Sequence, residues 1–264
     1  MTGPDPDVEA VPDYAAKARL DGRVVAVLGA GAGMGRQSAH ALAQLGARVA
    51  CVDREGELAA KVAAEVGGTA VEADVTRRAE VERVLREASR LGPVTGLVDI
   101  VGVALLGPLF DADDERWDRQ FDLVVRHAFL ALQVFGRSFA ATGGGSMVFV
   151  GSISGHTHAG GETVYGAAKA ALHRLVESAG RELGPRGVRA NVVAPGFTRT
   201  PRLDAMLSEQ QWRQVGAGIP RGFAGVPAEI ASVVAFLLAE SSSYVNGQVL
   251  TVDGGMSGSI PVPF

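Results

Sequence analysis

Apolar and polar positions along the chain follow two patterns. Short continuous apolar runs are typical of buried strands, and longer segments with apolar residues three or four positions apart are typical of helices. One such helical face consists of Leu58, Val62 and Val66 and is ended by Gly67 and Gly68. A second face, ended by Gly92, consists of Val81, Val84, Leu85 and Ala88. The apolar runs predict strands over residues 24–28, 48–52, 69–73, 97–101, 146–150, 189–194 and 248–252.

The alternation of strands and helices predicts an α/β fold, in which a doubly wound, parallel, seven-stranded sheet carries helices on both faces. Ligands of such sheets bind beyond the carboxyl ends of the strands, so the residues that follow the strands form the candidate site. The 264 residues contain neither an evident linker nor an internal repeat. We therefore predict a flexible N-terminal arm over residues 1–19 and a single domain over residues 20–264.

The composition narrows the expected partners. The formal net charge is -4 and there is no basic run, which argues against nucleic acid and membrane surfaces and favours a small molecule. The longest apolar stretch, from Leu91, contains Asp99, glycines and prolines, unlike a membrane helix. The N-terminal sequence MTGPDPDVEAVPDY is acidic, unlike a signal or transit peptide, so a cytoplasmic location is expected. Cys51 is the single cysteine, which excludes an internal disulfide framework and a multi-thiolate metal site.

Glycine occupies every second position from 29 to 35, between the first predicted strand and a helix. A Gly-x-Gly-x-x-Gly dinucleotide loop starting at Gly29 would need glycine at position 34, where Met34 stands. Two alignments remain open. Gly29-x-Gly31-x-Gly33 matches the S-adenosylmethionine loop of many methyltransferases, and Gly29-x-x-x-Gly33-x-Gly35 matches the nucleotide loop of short-chain dehydrogenases. In the second alignment, backbone N–H groups would face a pyrophosphate, and a Cβ would block that approach.

Acidic residues follow the second and third predicted strands. Asp53 stands 18 residues after Gly35, close to the spacing of an acid that binds the adenosine ribose. A carboxylate there repels the 2′-phosphate of NADP, so NAD is favoured. Arg54 either turns toward a phosphate or forms an ordinary surface ion pair. Asp74 follows the third strand, where an aspartate can cap the next helix.

A tyrosine and a lysine stand one helical turn apart in the sequence Tyr165-x-x-x-Lys169. A phenol has an ordinary pKa near 10, and this pKa must fall before the group exchanges protons near neutrality. The Lys169 ammonium, with the positive ring of an oxidised nicotinamide nearby, would favour the phenolate and lower the pKa. Ser152, after the fifth strand, would hold a carbonyl oxygen and stabilise a developing alkoxide.

Together these motifs resemble the short-chain dehydrogenase/reductase family over residues 20–255. The resemblance is carried by the glycine motif ending at Gly35, Ser152 with Tyr165 13 residues later, Tyr165-x-x-x-Lys169, Asn191-x-x-x-Pro195-Gly196 and Val252-Asp253-Gly254-Gly255. Transmethylation has no use for the serine, tyrosine and lysine, so the methyltransferase alignment is set aside. The resemblance implies a Rossmann-fold, NAD(H)-dependent oxidoreductase that interconverts a secondary alcohol and a ketone. It also implies a homotetramer or dimer.

The resemblance further implies roles for individual residues. The catalytic residues are Ser152, Tyr165 and Lys169. The cofactor contacts are Gly29, Gly31, Gly33, Met34, Gly35, Asp53, Arg54, Asp74, Val75, Gly102, Tyr165, Lys169, Pro195, Gly196, Thr198 and Thr200, with Asp74 and Val75 at the adenine edge. The substrate contacts are Ser152, Ile153, His156, His158 and Tyr165.

Residues 197–226 would form a substrate lid, whose Met206, Leu207 and Trp212 either face the substrate or pack as ordinary helix residues. With Leu105, Leu106 and Ile153, they suggest a mainly apolar, cyclic or aromatic substrate. His156, His158 and His173 lack acidic or histidine neighbours at ligand-like spacing, so no metal is predicted.

Two positions depart from the family pattern. Asp99-Ile100-Val101-Gly102 replaces the usual Asn-Asn-Ala-Gly, which predicts altered packing with the cofactor wall kept at Gly102. Val124 stands where an asparagine normally holds a water that links the lysine to solvent, and valine cannot bond that water. Either Arg126 or His127 rebuilds this relay, or proton exchange is slow. A further alternative is an NAD(H)-binding or sensing protein with impaired catalysis.

Overall fold

The strands form one parallel sheet. A computed structural model describes residues 11–158 and 160–258, and within them seven strands are ordered β3-β2-β1-β4-β5-β6-β7. All neighbouring pairs are parallel. The strands are β1 Val24–Leu28, β2 Arg48–Asp53, β3 Thr69–Glu72, β4 Val94–Asp99, β5 Gly145–Val150, β6 Val188–Pro195 and β7 Val249–Val252. The chain changes direction across the sheet between β1 and β4, and a crevice for ligands opens at such a point.

Helices cover both faces of the sheet, as the sequence predicts. They are α1 Tyr14–Lys17, α2 Gly33–Gln44, α3 Gly56–Val66, α4 Arg78–Ala88, α5 Asp114–Phe121, α6 His127–Ala141, α7 Thr163–Leu183, α8 Pro201–Asp204, α9 Glu209–Ala217 and α10 Pro227–Leu238. One apolar core joins the sheet to α4, α6 and α7, and a second joins it to α2, α3 and α10. The α/β doubly wound fold is therefore confirmed.

The boundaries of six strands lie within one residue of their predicted positions. Both boundaries of β4 differ from the prediction by more than one residue. It begins at Val94 and ends at Asp99, whereas the sequence predicts residues 97–101. Val94 already pairs with Val24 of β1. At the other end, the Asp99 carboxylate accepts a hydrogen bond from the backbone N–H of Val101 at 3.1 Å, which turns the chain out of the ladder.

The predicted N-terminal arm falls partly outside the described residues, because residues 1–10 are not among them. Its described part contains α1, which Asp13 caps by accepting from Ala15 and Ala16. Lys17 of this helix lies 3.6 Å from Glu240. The flexibility of the arm stays a prediction.

Cys51 lies in the middle of β2 and is fully buried. Burial raises the pKa of its thiol to about 12. It is therefore a structural residue of the core, as expected for a cysteine in a buried strand. Of the helices in residues 11–158 and 160–258, none has the length and apolar character needed to span a membrane.

Candidate active site

The glycines between β1 and α2 have different tasks. Gly29 and Gly33 have positive φ angles of 81° and 54°, which favour glycine. A Cβ on Gly35 would lie 1.9 Å from the carbonyl oxygen of Gly29, so Gly35 lets the helix approach the turn. A Cβ on Gly31 would lie 2.7 Å from Asp53 Oδ2. Three of these glycines, Gly29, Gly33 and Gly35, are those of the short-chain dehydrogenase alignment.

The N-terminus of α2 is suited to a dinucleotide phosphate. Helix α2 begins at Gly33, and its N-terminus carries no side-chain cap from Ala32. Its uncapped N–H groups and the positive end of the helix dipole suit an anion. Across the loop stands Thr200, and a Cβ on Gly33 would lie 3.5 Å from Pro201 and 3.8 Å from Thr200. The glycine loop and the start of the predicted lid therefore lie within contact distance of each other.

Asp53 is held by two backbone hydrogen bonds. Its Oδ2 accepts from the N–H of Gly31 at 2.9 Å, and its Oδ1 accepts from the N–H of Glu55 at 3.1 Å. The carboxylate is thereby fixed at the end of β2, beside the glycine loop. Arg54 lies at the surface, with its side chain 76% exposed and 4.0 Å from Glu55. This geometry matches the ordinary surface ion pair considered for Arg54.

Asp74 closes a turn ahead of α4. Its Oδ1 accepts from the backbone N–H of Thr76 at 3.0 Å and from the Thr76 hydroxyl at 2.7 Å. These bonds to Thr76, chiefly the one from its hydroxyl, lower the pKa of Asp74. The residue that caps α4 is Arg77, without a side-chain bond, so Asp74 does not cap the helix directly. Val75 is buried beside it, and the adenine role of this pair stays a prediction.

Helix α7 carries Tyr165 and Lys169 one turn apart, with Lys169 Nζ 5.8 Å from the centre of the tyrosine ring. Lys169 is buried and donates to the carbonyl oxygen of Val150, at the end of β5, at 2.8 Å. Ser152 follows β5 directly and hydrogen-bonds Tyr165. A Cβ on Gly102 would lie 3.2 Å from Lys169 Nζ, so this glycine keeps the space beside the ammonium open. The structure thus brings the three predicted catalytic residues together.

Burial sets the ionisation of this pair. It raises the pKa of Tyr165 to about 12, with the hydrogen bond to Ser152 opposing the shift and the charge of Glu162 adding to it. Burial also lowers the pKa of Lys169 to about 8, opposed by the carboxylate of Asp99. The sequence predicts that Lys169, together with the positive ring of an oxidised nicotinamide, lowers the pKa of Tyr165. Among the protein groups alone, the cost of burying a charged phenolate is the largest influence on this pKa, and the combined effect of Lys169 and the nicotinamide stays a prediction.

The two unusual positions near Lys169 both lie in the core. Asp99 Oδ2 lies 2.8 Å from His127 Nδ1, and each residue is only 1% exposed. Val124 is fully buried in the π-helical turn Asp122–Arg126 that joins α5 to α6. Arg126 extends away and donates to the carbonyl oxygen of Thr76 at 3.2 Å. The Asp99–His127 pair could not be predicted from the sequence, because its members are 28 residues apart in the chain.

A hydrogen-bonded chain that the sequence did not reveal leads away from Ser152. The Ser152 hydroxyl donates to Ser154 Oγ at 3.1 Å, and the Ser154 hydroxyl donates to Glu162 Oε2 at 2.6 Å. Glu162 immediately precedes α7 and stands one turn before Tyr165. That spacing was the available signal, but the position of Ser154 depends on the fold of the intervening loop.

His173 lies beneath Ser152. Its Nε2 accepts from the backbone N–H of Ser152 at 3.4 Å. Cβ atoms on Gly151 and Gly155 would lie 2.2 and 2.5 Å from its ring, so these glycines make room for it. Burial lowers the pKa of His173 to about 4, which keeps the imidazole neutral near pH 7.

The remaining predicted substrate residues occupy the same loop. Ile153 is buried, whereas His156 and His158 are exposed. His156 Nε2 lies 3.5 Å from the Thr251 hydroxyl. Over the described ranges 11–158 and 160–258, no three His, Cys, Asp or Glu side chains form a ligand cluster. The substrate contacts stay predictions.

On the far side of the crevice, Pro195 ends β6 and pairs with Val252 of β7. A Cβ on Gly196 would lie 2.7 Å from Asp253, so the two strand ends are in close contact. Thr198 is buried and bonds the carbonyl oxygen of Gly196 at 3.2 Å. These residues border the crevice from the side opposite β1.

The predicted lid folds into α8 and α9. Thr200 caps α8 by accepting from the N–H of Leu203. Trp212 is buried, with the Arg199 guanidinium 5.5 Å from its ring, so it packs inside the lid. Met206 is 61% exposed and belongs to a different surface of the segment. Trp212 therefore packs as an ordinary helix residue, which is one of the two alternatives that the sequence left open for the apolar residues of the lid.

Comparison with known proteins gives the family. A family model described as Enoyl-(Acyl carrier protein) reductase matches residues 29–257. Galactitol 2-dehydrogenase (L-tagatose-forming) of Cereibacter sphaeroides is 36% identical over 249 residues, which cover 92% of this chain and 98% of the relative. The (3R)-3-hydroxyacyl-CoA dehydrogenase of Mus musculus is 34% identical over 257 residues, covering 92% and 99%. A solved 7 alpha-hydroxysteroid dehydrogenase, complexed with NADH and 7-oxo glycochenodeoxycholic acid, matches with a TM-score of 0.88 at 30% identity, covering 92% and 98%.

The chain belongs to the short-chain dehydrogenase/reductase family. It is an oxidoreductase that acts on CH–OH groups, interconverts secondary alcohols and ketones, and uses a nicotinamide cofactor. The resemblance and the reaction class predicted from the sequence are thereby confirmed. The alternative of a sensor with impaired catalysis gains no support from these relatives.

Proposed function

We propose that the protein is an NAD(H)-dependent dehydrogenase of a neutral secondary alcohol, with Ser152, Tyr165 and Lys169 as its catalytic residues. The observation that carries this proposal is the position of Tyr165 and Lys169 on one face of α7, with Ser152 bonded to the tyrosine. The glycine loop fits the phosphates, and the Asp53 carboxylate stands beside it.

Each catalytic residue has one task at a stated atom. The Ser152 hydroxyl holds the substrate oxygen, and the Tyr165 oxygen takes or returns the proton of that oxygen. Lys169 holds a positive charge one helical turn from the phenol and orients the nicotinamide ribose. The bound dinucleotide supplies hydride exchange at its nicotinamide ring. Because burial raises the pKa of Tyr165 to about 12, the charge on Lys169 must persist for the phenolate to form.

The preference for NAD rests on Asp53. Its carboxylate is fixed at the end of β2, where it would accept hydrogen bonds from the adenosine ribose and repel a 2′-phosphate. Arg54 is directed to solvent and pairs with Glu55, so it offers little to a phosphate in this position.

The substrate class rests on charge at the site. Glu162 lies beside the reacting tyrosine, and its negative charge acts on the phenol. A carboxylate there disfavours anionic substrates, so an uncharged alcohol is expected, with the apolar character that Ile153 and the lid suggest. The proposal includes a homotetramer or dimer, which rests on the family resemblance. It also includes a cytoplasmic location, which rests on the sequence.

The test is a panel of neutral and anionic secondary alcohols and ketones, followed at 340 nm with NAD and with NADP. We expect turnover of a neutral member with NAD, and no turnover by Tyr165→Phe, which should still bind NADH. Unchanged turnover in Tyr165→Phe would remove the mechanism. A wild-type protein that binds NADH but converts no member of the panel would contradict the proposed activity.

A further inference from the structure

The chain needs a route by which the proton on Tyr165 reaches solvent. The asparagine that normally holds the connecting water is replaced by Val124, which is fully buried and apolar. Arg126 is bonded to the carbonyl oxygen of Thr76, away from Lys169. His127 Nδ1 is taken by Asp99, and among the described residues its Nε2 has no partner. Val124, Arg126 and His127 therefore provide no continuous hydrogen-bonded path by which a proton could pass from Lys169 to solvent.

The opposite side of Tyr165 offers one. We propose that Ser154 and Glu162 form a proton relay that connects Tyr165, through Ser152, to solvent. Both serine hydroxyls donate in the same direction, Ser152 to Ser154 at 3.1 Å and Ser154 to Glu162 at 2.6 Å. The proposal rests on the proposed function, because it assigns the fate of the proton that Tyr165 receives.

The backbone fixes the geometry of this relay. Ser154 lies in the 3-10 turn Ile153–Gly155, and its N–H donates to Ser152 Oγ at 3.1 Å. A Cβ on Gly166 would lie 2.8 Å from the carbonyl oxygen of Ser154, so the absence of a side chain lets α7 contact this turn. The two serines and the glutamate are thus held by adjoining backbone segments.

The relay ends at solvent. Ser154 and Glu162 line an open cavity of about 320 Å³, together with His156 and His158. Glu162 is half-buried, so its carboxylate contacts both the serine and the cavity. A carboxylate at such a rim is a suitable acid–base group for exchange with water.

The transfer balances without any further reactant. During alcohol oxidation, the Tyr165 O–H bond breaks as its proton bonds to Ser152 Oγ, and Ser152 passes its own proton to Ser154 Oγ. Ser154 then passes its own proton to Glu162, which releases one proton to solvent. No electrons move in these steps, and ketone reduction uses them in reverse. Glu162 acts through the serines and does not contact the reacting carbon.

The experiment compares the first turnover with the steady state. Glu162→Gln keeps the shape but cannot carry the proton, Glu162→Asp keeps the carboxylate, and Ser154→Ala interrupts the chain at its middle. Glu182→Gln is the matched control, because it removes an exposed charge near the other end of α7, the helix that Glu162 precedes. Each variant is checked for its melting temperature, then mixed with NAD and alcohol in a stopped-flow instrument in dilute and in concentrated imidazole buffer.

In Glu162→Gln and Ser154→Ala, the first burst of NADH should keep its wild-type rate, because the relay carries the proton away only after Tyr165 has taken it from the alcohol. The kcat in dilute buffer should fall by about 100-fold, the lower end of the range for general acid–base catalysis, with KM unchanged. Concentrated imidazole should restore kcat, and Glu162→Asp should lose much less than Glu162→Gln.

Wild-type kcat in Glu162→Gln and Ser154→Ala would overturn the relay. So would a slower first burst without rescue by imidazole, or an effect on KM alone, since either result assigns Glu162 to substrate binding. If the wild type itself converts no alcohol, the proposed function fails and the relay fails with it. An active wild type with equally active variants overturns the relay alone.

Discussion

The carboxylate of Asp99 and the imidazole of His127 meet at 2.8 Å in the core, with both side chains closed off from solvent. Asp99 lies at the end of β4 and is paired in the sheet with Phe149, the neighbour of the Val150 carbonyl that binds Lys169. The carboxylate is also the charge that opposes the loss of the Lys169 proton. The Asp99–His127 pair is therefore part of the electrostatic surroundings of the catalytic lysine.

Asp99→Asn should move the alkaline limb of the kcat/KM profile to lower pH. Asp99 raises the pKa of Lys169 above the value that burial alone would give, so its removal lets the lysine lose its proton earlier as pH rises. Asparagine keeps an oxygen for His127, which limits the structural damage. The measurement is kcat/KM against pH, with the exposed Asp122→Asn as control. A limb that stays in place, or moves to higher pH, contradicts the assignment.

Asp53→Asn should change the choice of cofactor. The substitution removes the negative charge beside the ribose site but leaves an oxygen for the N–H of Gly31. We expect kcat/KM with NAD to fall by about 10-fold, the worth of one charge-assisted hydrogen bond, and kcat/KM with NADP to fall less or rise. Glu55→Gln, with the same charge change two residues away at the surface, should leave the ratio near its wild-type value. An equal loss with both cofactors would place Asp53 outside the ribose site.

Val124→Asn should destabilise the protein and should not raise kcat. Val124 is fully buried among apolar side chains, and an amide without partners there costs about 1 to 3 kcal/mol of unfolding free energy. The result is read from urea unfolding and from steady-state kcat, with Val125→Asn on the half-buried face of the same turn as control. A faster enzyme would show that the asparagine relay is rebuilt and that the Ser154–Glu162 route is dispensable.

His173→Gln should flatten the loss of stability in acid. The pKa of His173 is about 4 in the folded protein, below the unfolded value of about 6.5, so the unfolded chain takes up the proton first. Stability is therefore lost as pH falls from about 6.5 toward about 4, by at most about 3 kcal/mol from this residue. Burial is the main cause, and the charges of Lys169 and His156 add to it.

Glutamine keeps an acceptor for the Ser152 N–H but does not titrate in this range. The measurement is the unfolding free energy of both proteins at pH 4.5, 5.5 and 7. A parallel pH dependence of the two proteins would mean that His173 is protonated in the folded state.

The sheet could be predicted because each strand is marked by local apolar residues. Val24–Leu28 is continuously apolar and lies where the sequence predicts it. The start of β4 could not be predicted in this way, because the residues around Val94 form no continuous apolar run. Val94 is a strand residue because it pairs with Val24 of β1. The Tyr165 and Lys169 pair was found for a similar reason, as its spacing is local to one helix.

The contacts that the sequence did not reveal join residues of different secondary-structure elements. Asp99 and His127 meet only because β4 and α6 pack together, and nothing in their separate surroundings marks them as partners. Ser154 and Glu162 are hydrogen-bonded across a loop whose sequence has no helical or strand-like pattern of apolar residues. Burial raises the pKa of Tyr165 in the protein alone, and the depth of burial is a property that a sequence does not give.

The chain has a single cysteine, and the sheet encloses it completely. Because the thiolate is the reactive form and the pKa of Cys51 is about 12, the native protein should be inert to maleimide dyes. A Met206→Cys substitution on the exposed side of the lid would then accept one fluorophore at one known place. The change in fluorescence on addition of an alcohol would then report whether this segment moves, and the native cysteine would not have to be replaced first.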